Sequence, residues 1–265
     1  ITDYPVISDS DWYTLYFSKG YYQEGEAAAR FLRRAEAIPE DVAVVQVYRG
    51  KSRGRALALG FSETQSKMRR KAAKDIELDD GVKTDGAFWR GLAADNQGAV
   101  IVAWLDGNDL AAIGALVTAE RHPPMVIASS TVLGESLHSL PGAVRPFTYL
   151  THPGSFSEDE PRSRLATESW LGAKKLPITN FEIQAKMYFL GWTLAPMVKM
   201  LRDDFYRDYF IDIVDMMRDQ YYSIAVYPRL SFGPGQRYAS KGCYIVQMTG
   251  GEEPKLEKRS NWVVH

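Results

Sequence analysis

Val42-Ala-Val-Val-Gln-Val-Tyr48, Ala99-Val-Ile-Val-Ala-Trp104 and Met125-Val-Ile-Ala128 are three short apolar runs, and their reading decides the fold. Each leads into a stretch with helical spacing, over residues 53–68, 108–119 and 131–140. The runs lack the polar alternation of a half-exposed strand, so they predict strands buried on both faces. Such strands belong to a parallel sheet covered by helices, here an α/β, doubly wound arrangement. Ligands of open α/β sheets bind at the carboxyl ends of the strands. The loops expected there are rich in hydroxylic and charged residues: Ser52, Arg53, Asp106, Asn108, Ser129 and Ser130.

Composition narrows the function. The chain has 265 residues, 45% hydrophobic and 25% charged, with a formal net charge of −1. A nucleic-acid binder normally shows a strongly basic face, so nucleic acid is not an expected partner. The basic cluster Met68-Arg-Arg-Lys-Ala-Ala-Lys74 reads as a helix end, where cations complement the helix dipole. No apolar stretch approaches the roughly 20 residues needed to span a bilayer. The one cysteine, Cys243, excludes a disulfide within the chain and sits in an apolar run as a buried thiol. His122, His138, His152 and His265 lie far apart in sequence, so neither a metal nor another cofactor is expected. Ser129 and Ser130 lack the Gly-x-Ser-x-Gly context of a nucleophile elbow. Gly233-Pro-Gly235 lies in a β-rich stretch and cannot be a phosphate loop. The chain is not expected to be an enzyme.

Outward from the three runs, residues 21–37 read as an amphipathic helix with Ala28, Phe31, Leu32 and Ala35 on one face. A short helix is expected within 81–96 and a last strand of this block over 144–149. Thr151-His-Pro-Gly-Ser-Phe-Ser-Glu-Asp-Glu-Pro161 is a link rich in turn formers and acid. A helix over 162–174 follows. The longest helix, over 180–201, carries the stripe Ile183, Met187, Leu190, Gly191, Leu194, Val198 and Leu201, with Pro196 as an expected kink. Another helix spans 206–218. Residues 226–232 and 242–248 read as a hairpin, and Asn261-Trp-Val-Val264 as a final strand.

In that order the pieces resemble the type I periplasmic binding protein family, the branched-chain amino-acid-binding kind associated with ABC transporters. The resemblance rests on Tyr4-Pro-Val-Ile-Ser-Asp9, Gly25-Glu-Ala-Ala-Ala-Arg-Phe-Leu32, Val42 to Tyr48 and Ser52-Arg-Gly-Arg-Ala-Leu-Ala-Leu-Gly-Phe61. Leu230-Ser-Phe-Gly-Pro-Gly-Gln236 and the Asn261 to Val264 segment extend it to nearly the whole chain. It implies two doubly wound lobes that close on a ligand. Residues 1–20 would be a remnant of lobe one and the first crossing, and 21–149 lobe two. Residues 150–222 would return to lobe one, and 223–265 would form the C-terminal hairpin and last strand. Most of lobe one, roughly the first hundred residues of such a protein, has no counterpart, so the expectation is a processed or truncated chain, or one whose missing part another chain supplies.

The resemblance also implies ligand positions. Ser8 matches a position whose hydroxyl often meets the ligand's ammonium group. Ser52 and Asp106 match positions that are often aromatic, and Ser130 lies near the usual acid partner of that ammonium group. Asp106, Ser129 and Ser130 also read as helix N-caps, and Arg49, Lys51 and Arg53 as a solvated loop. The expected function is an extracytoplasmic, periplasmic solute-binding protein for a small polar ligand held between two lobes, with an ABC-transporter membrane component or another protein subunit as partner. The alternative is a structural or interaction subunit, or a sensory ectodomain, that reuses the fold.

Overall fold

In the computed structural model the three apolar runs lie side by side as parallel strands of one sheet. The structure describes residues 4, 13–51, 53–118, 122–155, 160–216, 226–227, 230, 237–251 and 254–264. The chain begins with β1 (Tyr16–Ser18), α1 (Tyr21–Arg34), β2 (Val44–Arg49), α2 (Arg53–Lys67) and β3 (Lys74–Leu78). Then come α3 (Gly86–Asp95), β4 (Val100–Trp104), α4 (Gly107–Leu110), β5 (Val126–Ser129), α5 (Ser130–Leu133) and β6 (Thr148–His152). Three helices follow: α6 (Glu160–Ala173), α7 (Phe181–Met200) and α8 (Arg207–Met216). The last strands are β7 (Tyr238–Ser240), β8 (Gly242–Met248), β9 (Leu256–Lys258) and β10 (Val263–Val264).

The chain divides into two compact units. Unit 1 comprises Ile1–Gly20 and Gly154–Lys241; unit 2 comprises Tyr21–Pro153 and Gly242–His265. Unit 2 holds the large sheet, in the order β10-β8-β6-β5-β4-β2-β3, with β9 on β8. Strands β2 to β6 are parallel, and β8 joins β6 antiparallel. Every residue of β4 and β5 is buried, as continuous apolar runs require. The polar exception in β2, Gln46, is satisfied. It accepts from Trp104 Nε1 at 2.8 Å and donates to Ser62 Oγ at 2.7 Å and Asp75 Oδ1 at 2.9 Å.

Several expectations are corrected here. β3 is a strand that the sequence reading did not include: its Lys74, Asp75 and Glu77 are exposed, and charged residues on an edge strand hide the β pattern while blocking further pairing. The helices expected over 108–119 and 131–140 are single α turns followed by 3₁₀ segments, Ile113–Thr118 and Gly134–Ser139. Gly134, at φ +52°, ends α5 in a conformation that a residue with a Cβ rarely adopts. The last parallel strand sits four residues later than expected, at Thr148–His152, because Gly142–Phe147 forms a 3₁₀ turn. β8 pairs with β6, β9 and β10, and its expected hairpin partner, 226–232, lies outside the described residues apart from Val226, Tyr227 and Leu230.

Unit 1 holds a two-stranded parallel sheet, Tyr16↔Tyr238 and Ser18↔Ser240, with α6, α7 and α8. Its core gathers Phe189, Met197, Leu201, Ile213 and Val214 around Phe17 and Leu194. The buried face of α7 is Ala185, Phe189, Thr193 and Met197, about a third of a turn from the expected stripe, of which Ile183, Met187 and Val198 are exposed. The helix is apolar around most of its circumference, so periodicity alone does not choose the packed face.

Candidate functional site

The carboxyl ends of β5 and β6 lie next to the first turn of α1, and polar side chains from all three meet there. Ser129 Oγ donates to Glu24 Oε2 at 2.7 Å, and Thr151 Oγ1 donates to the same oxygen at 2.5 Å. Glu24, Ser129 and Thr151 are fully buried or nearly so. A carboxylate in the first turn of a helix also gains from the helix dipole. Beside it, Gln23 Nε2 donates to the Gly242 carbonyl and ties α1 to β8. Burial, with the Glu24 and Glu26 carboxylates nearby, pushes the Cys243 thiol well above its ordinary pKa. That thiol is a buried apolar neighbour of the cluster, as its sequence context implied.

On the outer side of this layer, Ser130 Oγ lies 2.9 Å from His152 Nδ1. Ser130 is buried and His152 partly so, while Ser129 Oγ accepts from the Val132 amide at 3.1 Å and caps α5. Hydroxyl, imidazole and carboxylate therefore converge at the carboxyl ends of two neighbouring strands, although Glu24 is remote in sequence from Ser129 and Thr151. Such a surface can donate and accept hydrogen bonds to a small polar molecule. Among the described residues no group of three or more His, Cys, Asp and Glu side chains is arranged to hold a metal ion.

Of the sequence-predicted site residues, Ser8 and Ser52 lie outside the described residues. Ser130 is at the sheet edge, paired with His152. Asp106 is exposed and acts as a cap: its Oδ1 accepts from Asn108 N at 3.0 Å and Asp109 N at 3.1 Å. Asp106→Ala is accordingly expected to lower stability by about 1 kcal/mol. Urea unfolding checks this, with Asp106→Asn retaining most of the cap.

Arg49 corrects the solvated-loop reading. It forms a two-pronged ion pair with Asp109, Nε to Oδ2 at 2.8 Å and Nη2 to Oδ1 at 2.5 Å, and Thr84 Oγ1 adds a bond at 2.8 Å. The Asp109 carboxylate raises the Arg49 pKa. Bonds from Arg49 to the Asp79 and Val82 carbonyls hold the loop after β3. Sequence reasoning missed Glu24, Thr151 and His152. The available signal was Gln23-Glu24 beside Ala27 and Ala28: polar residues next to the small apolar residues of α1's buried side.

No protein-family model and no curated protein matches the sequence. Solved structures do. A branched-chain amino acid ABC transporter protein from Thermus thermophilus with bound valine superposes with a TM-score of 0.66 at 12% identity, covering 95% of this chain and 67% of that one. A periplasmic binding protein type 1 from Bordetella pertussis gives 0.57 at 15%, with 92% and 67% covered. An R. palustris solute-binding protein in complex with benzoate gives 0.56 at 14%, with 92% and 64% covered. The chain has the type I periplasmic-binding fold and spans about two thirds of the length of these relatives. Among the described residues no helix is long and apolar enough to cross a membrane.

Proposed function

We propose that this protein is a non-enzymatic, extracytoplasmic solute-binding protein of the ABC-transporter type, working in the periplasm with a membrane permease. The observation that carries the reading is the polar cluster at the carboxyl ends of β5 and β6, where Ser130 and His152 stand over the buried Glu24, Ser129 and Thr151. Strand ends are where open α/β sheets take their ligands. Proteins of the same fold bind valine in one case and benzoate in another. The solute is a small molecule with a polar or charged head, met by the Ser130 hydroxyl and the His152 ring. Binding shifts the population toward whichever state gives the solute more contacts.

Calorimetry with a panel of L-amino acids, aryl and aliphatic carboxylates, amides and polyols tests this. At least one member should bind, and Ser130→Ala or His152→Ala should weaken it about 3- to 10-fold, the worth of one hydrogen bond. Unchanged affinity in both variants removes the pair from the site. A panel with no binder defeats the reading.

A further inference from the structure

Three loops at the carboxyl edge of the unit 2 sheet are tied together at one carboxylate. Asp109, only 6% exposed, takes both prongs of the Arg49 guanidinium and the Thr84 hydroxyl. Its backbone carbonyl accepts from the buried Trp89 indole at 3.3 Å. Arg49 ends β2, Thr84 lies in the loop between β3 and α3, and Asp109 is in α4, which follows β4. Further guanidinium bonds reach the Asp79 and Val82 carbonyls. Desolvation offsets much of the attraction in a largely buried ion pair, so net stability does not account for it, and fixing one arrangement is its best-attested use. Arginine's planar fork sets distance and angle together, which a lysine ammonium does not.

The element fixed in this way is α4. It has four residues, Gly107–Leu110, and a single helical turn does not hold itself in place. Its position depends on its ties: the Asp106 cap at its start and the Asp109 carboxylate within it. α4 in turn supports the neighbouring segment. A Cβ on Gly107 would stand 2.2 Å from the Ser136 Cβ and 2.4 Å from its Oγ, so the α4 backbone is pressed directly against Ser136. Ser136 belongs to the 3₁₀ segment Gly134–Ser139, which continues α5 without a break. Leu133 and Leu137 are both buried and anchor the two as one piece. The first residue of that piece is Ser130, whose Oγ lies 2.9 Å from His152 Nδ1. A contiguous path thus runs from Arg49 through Asp109, Gly107 and Ser136 to the Ser130 hydroxyl.

We propose that Arg49 and Asp109 are positioning residues of the solute site: their ion pair holds α4 as the platform against which residues 130–139 rest, and so aims the Ser130 hydroxyl at His152. The inference rests on the solute-binding role proposed above and adds two residues that act through Ser130 without touching the solute.

Two readouts test it, one of which needs no solute. In the free protein, NMR of the imidazole nitrogens, assigned with His152→Gln, reports the Ser130 contact. Arg49→Lys, which keeps the charge and loses the fork, and Asp109→Asn should both shift the His152 signals. Those of His122, which stacks on Phe147, should stay in place. Gly107→Ala should shift the His152 signals too, by pushing on Ser136 with the ion pair intact. Calorimetry then uses the panel member that binds the unsubstituted protein most tightly. Arg49→Lys should weaken it about 3- to 10-fold, as Ser130→Ala does. Added to Ser130→Ala, it should weaken binding no further, because residues that act through one contact are not additive. A merely structural role would give the same loss in both backgrounds. Additive losses overturn the proposal, and so do His152 signals that stay put in Arg49→Lys and Asp109→Asn, or in Gly107→Ala. If no panel member binds, the solute-binding reading fails, and the His152 signals alone decide whether the pair positions Ser130.

Discussion

Gly25→Ala and Gly60→Ala should each destabilise unit 2 by about 3 kcal/mol or more, the upper end of the cost of forcing an extra methyl into a packed core. Helices α1 and α2 meet through these two glycines. A Cβ on Gly25 would stand 2.1 Å from the Leu57 carbonyl oxygen, and one on Gly60 2.2 Å from the Tyr22 carbonyl oxygen. Both obstacles are backbone atoms, so no rotamer change relieves them, and the helices would have to separate. Their interface includes Ala28, Ala29, Leu57 and Phe61, all within the buried core of unit 2. The sign is the informative part, because glycine to alanine inside a helix ordinarily stabilises by about 0.8–1.0 kcal/mol. Gly91→Ala is the control. It lies in α3 with nothing within 4 Å of the added Cβ, and it should show that ordinary gain. Urea unfolding followed by fluorescence reads all three, since Trp89 and Trp104 are fully buried in unit 2. Neutral behaviour at Gly25 and Gly60 would mean that the helices do not approach as described.

Glu24→Ala should cost about 2–4 kcal/mol, because it strands two buried hydroxyls, each worth about 1–3 kcal/mol when left unsatisfied. Ser129 and Thr151 both donate to one carboxylate oxygen, and both are fully buried. Glu24→Gln keeps a carbonyl oxygen in that place, so it should cost less than half as much. The pair of variants separates loss of an acceptor from loss of a charge. Because the cluster supports the layer that carries Ser130 and His152, Glu24→Ala should also weaken solute binding in the temperature range where it remains folded. Unfolding curves for Glu24→Ala that overlay the unsubstituted protein would remove Glu24 from the framework of the site.

The central sheet was legible because strands buried on both faces leave uninterrupted apolar runs, and β2, β4 and β5 fall where those runs are. β3 was not, since an edge strand such as Lys74–Leu78 satisfies solvent on one side and carries charge. Nor was the packed face of α7, whose apolar residues encircle it; Phe189 rather than Met187 faces the core. In the candidate site, the place of Ser130 just after a strand was legible. Its partners could not, because local sequence does not reveal a hydrogen bond between Thr151 and Glu24. Asp106 was legible as a cap: its carboxylate accepts from the backbone amides of its own turn, as its place just after a strand and before a helix implied.

The most direct measurement is amide hydrogen exchange of the protein with and without the solute that calorimetry selects from the panel. Solute binding at the carboxyl edge of the unit 2 sheet predicts slowed exchange at the first turn of α1, at residues 129–132 and at residues 151–153. The exposed edge strand β3 and helix α3 should be unchanged. Slowing confined to β3 or α3, or no response at 129–132 and 151–153 at saturating solute, would contradict it.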